Sequence, residues 1–494
     1  MSATAGAVPV RNRRIGPLAL AAAFGAVAAL GQAPWALWPF AIAGAAGAIG
    51  LAARLPGLAG RIGWAFGTAQ YLLSLHWIVS PFAVDPAIPD ALGWVALALL
   101  AAGLGVFPAL ALRLAALSRV TPHLAGPVLL LAAEVVRMHL FTGFPWAAPG
   151  QALVTTPLLA LAALGGPHLL DAVVLAAAGG IAGAVRHPAL AVCVLLALAG
   201  AWIWGGTRPD LPPDPAAPLI RLVQPGTEQG DKWRPELRED QVARQIALST
   251  GPAIPALTVW PETSLLYWLH EAPELLTRIE AAAGGPVLLG SNRWDGAHVF
   301  NAAVLVGPGG QVASVYDKHH LVPFGEYVPF RALAERIGLQ GLAQVIGEGF
   351  TPGPGPQVID VPGIGPVLPL ICYEAVFPAS LRGTARPRAL VQITNDAWFG
   401  SWAGPEQHLA QARMRAAESG LPLLRAANTG ITAAIDARGD VVARLDGRGP
   451  GRLDAPLPPA LAPTPYARTG DWPILAMLLA ALAAIGWRSV QRRD

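Results

Sequence analysis

The sequence is short of charge. Of its 494 residues only 13% are Asp, Glu, Lys or Arg, while 54% are hydrophobic; soluble domains carry about 25% charged residues. A water-soluble fold this apolar would have too little polar surface to cover itself. The net charge is only +3 and the basic residues are scattered, which argues against nucleic acid as a partner. Cysteine is almost missing: Cys193 and Cys372 are the only two, so a disulfide framework is not expected. Cys193 lies in the apolar run AVCVLLALAG and reads as a small hydrophobe. That leaves Cys372, in a stretch of ordinary polarity, as a reactive thiol to test. The glycine-rich pieces at 307–310 and 353–356 are not followed by Lys-Ser or Lys-Thr, so a phosphate loop is not expected. No short-period repeat is visible.

Long apolar runs are what the sequence has instead. Seven lie before residue 206, at 15–31, 34–53, 62–80, 91–112, 124–140, 157–183 and 188–205, and an eighth at 473–487. A membrane span needs about 20 such residues; the first and last runs are short and alanine-rich. Arg11, Arg13 and Arg14 precede the first run as in a signal peptide, but further apolar runs follow rather than an export pattern. Arginines mark alternate loops: those three, Arg54 and Arg61, Arg113 and Arg119, Arg186, then Arg488, Arg492 and Arg493. The intervening loops carry Asp85 and Asp90. The excess of arginine places its loops in the cytoplasm, with both ends of the chain cytoplasmic and the long stretch between runs seven and eight outside. Arg137 and Arg208 are the exceptions, and Arg137 has Glu134 at helical i,i+3 spacing.

That stretch, 217–465, follows the proline-rich linker RPDLPPDPAAP. Short apolar runs (IRLVQ, ALTVW, PVLLGS, GPVLPLIC, ALVQIT) alternate with turn signals, the pieces around GPGG and DARGD read as hairpins, and 234–248 and 405–419 read as helices. Alternating strands and helices point to an α/β domain. The domain limits expected are 1–206 for a seven-span bundle, 217–465 for the catalytic domain, and 473–494 for a closing helix and tail.

Three motifs there carry chemistry: VWPETS with Glu262, YDKHHLVPFGEYVPF with Lys318 and Glu326, and LPLICYEAVFP with Cys372 and Glu374. A thiol attacks as its thiolate, a carboxylate takes its proton, and a lysine steadies both thiolate and oxyanion. Taken singly, each has a plainer reading: a turn carboxylate, a solvated lysine, a core cysteine. The adjacent His319 and His320 invite a metal, but neighbours on a strand point opposite ways, so no metal site is expected. TNDAWFG with Trp402 reads either as a packed lid or as a greasy mouth for acyl chains. FTGFPW at 141–146 reads either as part of that mouth or as an interfacial turn anchored by Trp146.

The order Glu, Lys, Cys in the contexts WPE, DKxHLVPFGEYVP and ICYE resembles the nitrilase superfamily. The wider chain is similar to its membrane branch, the apolipoprotein N-acyltransferases, at FTGFPW, LVQPG, TNDAWFG, ARMRAAE, NTGITA and TPYARTGDWP. The resemblance implies an α-helical transmembrane bundle of about eight spans plus an α/β nitrilase-like α-β-β-α sandwich. It implies Glu262 as general base, Lys318 as oxyanion and thiolate stabiliser, and Cys372 as nucleophile, with Glu326 and Glu374 at supporting positions; Trp398, Phe399, Trp402 and Trp146 are the mouth residues to examine. It implies a phospholipid acyl donor, a diacylated apolipoprotein acceptor, no cofactor, and a multi-pass place in the bacterial inner membrane with the catalytic domain periplasmic. Two other classes remain: a membrane-anchored amidase or nitrilase acting on a small C–N substrate, and a transporter or receptor. The latter would call for charged, broken spans at mid-membrane, and internal charge beyond Glu134 and Arg137 is almost absent.

Overall fold

The computed structural model describes residues 15–84, 89–212, 214–329, 349–445 and 447–491. Arg11, Arg13, Arg14, Asp85, Arg492 and Arg493 lie outside them. All of the apolar runs are helical: α1 (Ile15–Ala29), α2 (Trp38–Arg54), α3 (Ala59–Ser74), α4 (Asp90–Leu104), α5 (Val106–Leu117), α6 (Pro122–His139), α7 (Ala162–Gly183), α8 (Pro188–Gly206) and, at the far end, Trp472–Gln491. Four described stretches are long and apolar enough to cross a membrane: Asp90–Leu117, Pro157–Gly183, Pro188–Gly206 and Trp472–Gln491. The second and third runs pass that test only as a pair bent by 114°, and α1 has just 15 residues. Small residues let these helices approach closely, and Ala45, Ala48, Ala52, Ala178 and Ile49 share one core. Cys193 is exposed on α8, and neither cysteine is in a disulfide.

The pairing expected of Arg137 is present and does more than soften a charge. Its Nη2 lies 2.5 Å from Glu134 Oε2, and Nη1 donates to the carbonyls of Phe144 and Trp146 at 2.5 and 2.9 Å. Tyr71 donates to the other Glu134 oxygen at 3.2 Å. The buried ion pair is thereby satisfied and pins the FTGFPW loop to the bundle.

The middle of the chain forms two sheets. Strands β1 (Leu219–Gln224), β2 (Leu257–Val259), β3 (Leu265–Trp268), β4 (Val287–Trp294), β5 (Val299–Val306), β6 (Val312–Asp317) and β13 (Gly451–Pro456) make the first, in the order β13-β1-β2-β4-β5-β6 with β3 also on β4. Strands β7 (Ile359–Val361), β8 (Gly365–Ile371), β9 (Ala389–Thr394), β10 (Leu423–Ala427), β11 (Ala433–Ile435) and β12 (Val441–Arg444) make the second, in the order β12-β11-β10-β9-β8-β7. β5 and β6 pair antiparallel around GPGG, and β11 and β12 around DARGD, as the turn signals predict. In the second turn Asp436 Oδ1 accepts from the backbone of Arg438 and Asp440 at 2.8 and 2.9 Å, a side-chain turn of the kind aspartate favours.

Side-chain alternation assigns the faces. Ile220, Leu222, Leu288 and Leu305 of the first sheet share a core with Val367, Ile371, Val391, Ile393 and Leu424 of the second. The opposite faces are covered by helices: Val287, Leu289 and Val304 meet Leu276 and Ile279 of the helix Pro273–Ala283, and Leu370, Leu390 and Leu423 meet Leu409, Ala412 and Ala416 of the helix Ala403–Ser419. That second helix includes the stretch 405–419 expected from sequence, and the helix Arg238–Ser249 falls in 234–248 to within a few residues.

Gln407, on the helix Ala403–Ser419, ties this domain to the bundle. Its Nε2 donates to the carbonyls of Ala33 and Ser74, both at 3.0 Å, and its Oε1 accepts from the indoles of Trp77 and Trp146 at 3.2 and 2.7 Å.

Candidate active site

The three motif residues each follow a strand: Glu262 follows β2, Lys318 follows β6 and Cys372 follows β8. Two come from one sheet and the third from the other, so the shared core that joins the sheets also brings these residues to one place. The loop under Glu262 passes so close to β4 that a side chain on Gly290 would meet Pro261 O and Thr263 N at 2.5 and 2.4 Å; only glycine fits there.

Lys318 is 1% exposed. Its Nζ lies 2.8 Å from Glu326 Oε1 and 3.3 Å from Glu262 Oε1. Asn301 spreads its amide over the same two oxygens, 2.8 Å to Glu262 and 3.0 Å to Glu326. The backbone N–H of Asn395 donates to Glu262 Oε2 at 3.0 Å, and that of Val322 to Glu326 Oε2 at 2.8 Å. Burial lowers the Lys318 pKa, but the Glu326 and Glu262 carboxylates outweigh it and hold that pKa above the ordinary lysine range.

Cys372 is buried, and its thiol pKa is raised above the ordinary value by burial first and by the Glu262 carboxylate second, against the lowering field of Lys318. The thiol is therefore protonated at rest. Lysine does lower its pKa, as the sequence reading held, but the net direction is upward.

Glu374 does not join the cluster around Lys318. Its Oε1 accepts from the backbone of His319 and His320 at 2.8 and 3.3 Å, and its Oε2 from Ile371 N and the Tyr316 hydroxyl at 2.8 and 2.9 Å. It braces the turn after Lys318 against the turn that carries Cys372. Burial raises its carboxyl pKa, but His319 and the backbone donors outweigh that and lower it. The two histidines lie past the end of β6 and turn to different partners: His319 Nδ1 sits 2.7 Å from Glu374 Oε1, and His320 stacks on Phe377 at 3.7 Å. A carboxylate therefore does accompany His319, as an ion-pair partner within a brace. Elsewhere, metal-ligating atoms of His139, His168 and Asp471 lie within 4.8 Å of one another. Both Asp471 oxygens already accept hydrogen bonds, from Arg382 and Tyr466, so we assign no ion there.

Trp146 corrects the mouth expectation. It is 0% exposed, hydrogen-bonded to Gln407, and packed at 4.6 Å on Trp77 and 5.4 Å on Phe399. It is neither an interfacial anchor nor a surface lining, because Gln407 supplies the acceptor that a buried indole requires. Phe399 is half-buried in the same cluster. Trp398 and Trp402 are exposed, and Trp402 stands edge-on to Trp35 of the bundle at 4.7 Å.

Sequence reasoning missed Lys232, Asn301 and Asn395. Lys232 is buried with Nζ 3.1 Å from the carbonyl of Glu262, and burial pushes its pKa down to about 8 against the fields of Glu262 and Cys372. Asn301 carried a signal: it is a lone amide inside the apolar strand VFNAAVLV. Lys232 carried none.

Residues 255–462 match the family model described as carbon-nitrogen hydrolase, and residues 24–180 match that of the apolipoprotein N-acyltransferase N-terminal domain. The chain is 37% identical to the apolipoprotein N-acyltransferase of Rhodopseudomonas palustris, over 93% of this chain and 92% of that one. Its identity to the enzyme of the same name from Bradyrhizobium diazoefficiens is 37%, over 87% and 86% of the two chains. For that from Brucella melitensis it is 35%, over 88% and 87%. With a carbon-nitrogen hydrolase domain set beside a bundle of apolar helices, and relatives of one name along nearly its whole length, this chain belongs to the apolipoprotein N-acyltransferase family.

Proposed function

We propose that the protein moves a fatty acyl chain from a membrane phospholipid to the N-terminal amine of a diacylglyceryl-cysteine apolipoprotein, through a thioester on Cys372. The observation that carries this reading is the buried cluster of Lys318 between Glu262 and Glu326, within whose field the Cys372 thiol lies. In the first half-reaction Sγ attacks the ester carbonyl while Glu262 takes the thiol proton. The C–O bond then breaks, the leaving alkoxide recovers that proton, and a lysophospholipid departs. In the second, the free amine attacks the thioester, Glu262 takes an N–H proton, the C–S bond breaks and the thiol is restored. An ammonium has three N–H bonds. Two of those on Lys318 are directed at carboxylates, which leaves one for the oxyanion of each tetrahedral intermediate. Glu262 has the mirror property: three donors occupy part of its lone-pair capacity and leave room for the proton it accepts. Glu326 fixes Lys318, and Trp398, Phe399 and Trp402 are the mouth residues of this reading, supported by the packing of Phe399 on Trp77 and of Trp402 on Trp35 of the bundle.

In this reading residues 1–206 are a seven-span bundle, 217–465 an α-β-β-α sandwich in the periplasm, and 473–494 a closing span and cytoplasmic tail, eight spans in all, in the bacterial inner membrane. The alternate-loop arginines support the orientation. Reporter fusions after Ala217 and after Asp494 are expected to report opposite compartments; the same compartment for both would end the eight-span count.

The activity is tested by offering the purified enzyme phospholipid plus a diacylated lipopeptide in one arm and a small amide or nitrile in the other. Acylation of the lipopeptide and no turnover of the small substrate is the expected result. Hydrolysis of the small substrate alone would make the protein a membrane-anchored amidase.

A further inference from the structure

Behind the nucleophile lies a polar cluster that acyl transfer, as written above, does not use. Cys372 has φ +50°, a left-handed backbone that an L-residue adopts only under strain and that persists only where its surroundings enforce it. Its carbonyl accepts from Gln392 Nε2 at 3.2 Å, and His408 Nε2 is 3.1 Å away. Gln392 Nε2 is also 3.0 Å from His408 Nε2. On its far side, His408 Nδ1 is 2.9 Å from Asp396 Oδ1. Asp396 in turn is held by the Thr394 hydroxyl at 3.0 Å and by the Arg425 guanidinium, and Arg425 Nη2 is 3.2 Å from His408 Nδ1. Trp146 and Phe399 close the cluster, their rings 5.7 and 5.2 Å from that of His408. Gln392, His408, Asp396 and Arg425 are all fully buried.

One protonation pattern accounts for the Asp396 and Gln392 contacts of His408, leaving its approaches to the Cys372 carbonyl and to Arg425 Nη2 as contacts without a shared proton. The carboxylate fixes a proton on Nδ1, and burial, then the field of Arg425, lowers the His408 pKa. The ring is then neutral with Nε2 free to accept. The two N–H bonds of the Gln392 amide divide between His408 Nε2 and the Cys372 carbonyl. Gln392 Oε1 has no partner in the described structure, so the amide is oriented by its donors alone. The result is a directed line from the Arg425–Asp396 pair through His408 and Gln392 to the peptide that carries the nucleophile.

We propose that Gln392, oriented by His408 and Asp396, is a positioning residue for acyl transfer: it grips the Cys372 carbonyl and so holds the left-handed turn that sets the thiol in the field of Glu262 and Lys318. The proposal rests on Cys372 being the nucleophile. Its role is geometric. It touches no substrate atom, and its loss is felt in the chemical step, where a displacement of about 1 Å costs roughly 10²-fold.

Gln392→Met keeps the length of the side chain and removes both N–H bonds. In detergent-solubilised full-length enzyme it is expected to lower kcat for lipopeptide acylation roughly 10²-fold, with KM for phospholipid within about threefold of wild type. The rate of Cys372 alkylation by iodoacetamide should change, and its pH profile should move with it, since both read the thiol directly. His408→Asn retains a donor for Asp396 but is too short to orient Gln392, and a fall of about tenfold in kcat is expected. Wild-type kcat in folded Gln392→Met, or a loss that only tracks the folded fraction, overturns the proposal. If that variant does not fold, wild-type kcat in His408→Asn overturns it. Cys372→Ala run alongside separates the two readings: transfer surviving in that variant defeats the nucleophile assignment, whereas an inert Cys372→Ala beside a fully active Gln392→Met defeats only the positioning role.

Discussion

Cys372→Ala, Glu262→Gln and Lys318→Ala are each expected to cut lipopeptide acylation by at least ~10³-fold, and any two combined to cost little more than one, because groups that act as a unit are lost as a unit. The structure gives the physical form of that coupling. Glu262 and Glu326 are buried on either side of the Lys318 ammonium, at 3.3 and 2.8 Å, and Asn301 bridges their oxygens. Without the ammonium, two buried carboxylates face each other with no cation between them. The oxyanion donor and the partner that holds Glu262 are lost together, so Lys318→Ala should cost about as much as Glu262→Gln. Removing one partner of a buried ion pair also costs about 3–5 kcal/mol of stability, so activities must be read per folded enzyme, with Tm measured beside them. Glu326→Gln removes one carboxylate and leaves the Lys318–Glu262 contact, so it should be the milder change. A folded Lys318→Ala enzyme with near-normal turnover would refute the proposed role of the lysine.

The acyl-enzyme itself is the second large effect expected. Mixed with phospholipid alone, the protein should gain the mass of one acyl chain, mapped by mass spectrometry to the peptide bearing Cys372. Neutral hydroxylamine should remove it, since it cleaves thioesters and spares amides. A diacylated lipopeptide with a free amine should discharge it, and the same peptide with its amine blocked should not. Burial and the Glu262 charge hold the thiol pKa up, so little thiolate exists at rest and loading depends on the base; Glu262→Gln should load far more slowly. The same burial shields the thioester from water, and the loaded enzyme should persist for minutes without acceptor. Acylation of the lipopeptide with no adduct under any of these conditions would mean direct transfer and no covalent intermediate.

Much of the fold was legible because it follows local rules. Each apolar run became a helix since an unpaired backbone is intolerable in an apolar setting, and the GPGG and DARGD hairpins followed from their turn residues. The i,i+3 spacing of Glu134 and Arg137 gave their pairing. The reach of Arg137 to the carbonyls of Phe144 and Trp146 was not legible, because nothing local says which loop will fold back over the helix.

The sequence by itself named Glu262, Lys318 and Cys372 as the residues to examine, because they stand in motifs whose order and flanks resemble those of one superfamily, and the structure brings them to one place. It could not determine what surrounds them. Asn301, Asn395 and Lys232 reach Glu262 across intervals of tens to more than a hundred residues, contacts made only when the two sheets close on one core. The same closure made Glu374, expected only at a supporting position, a brace between two turns, drew Trp146 inward onto Gln407, and raised the thiol pKa that a neighbouring lysine suggests is low. Each is a property of burial and of through-space distance, which the spacing of residues along a chain does not encode. The candidate residues were named by local motifs, while the electrostatics around them was set by which groups the fold removed from water together.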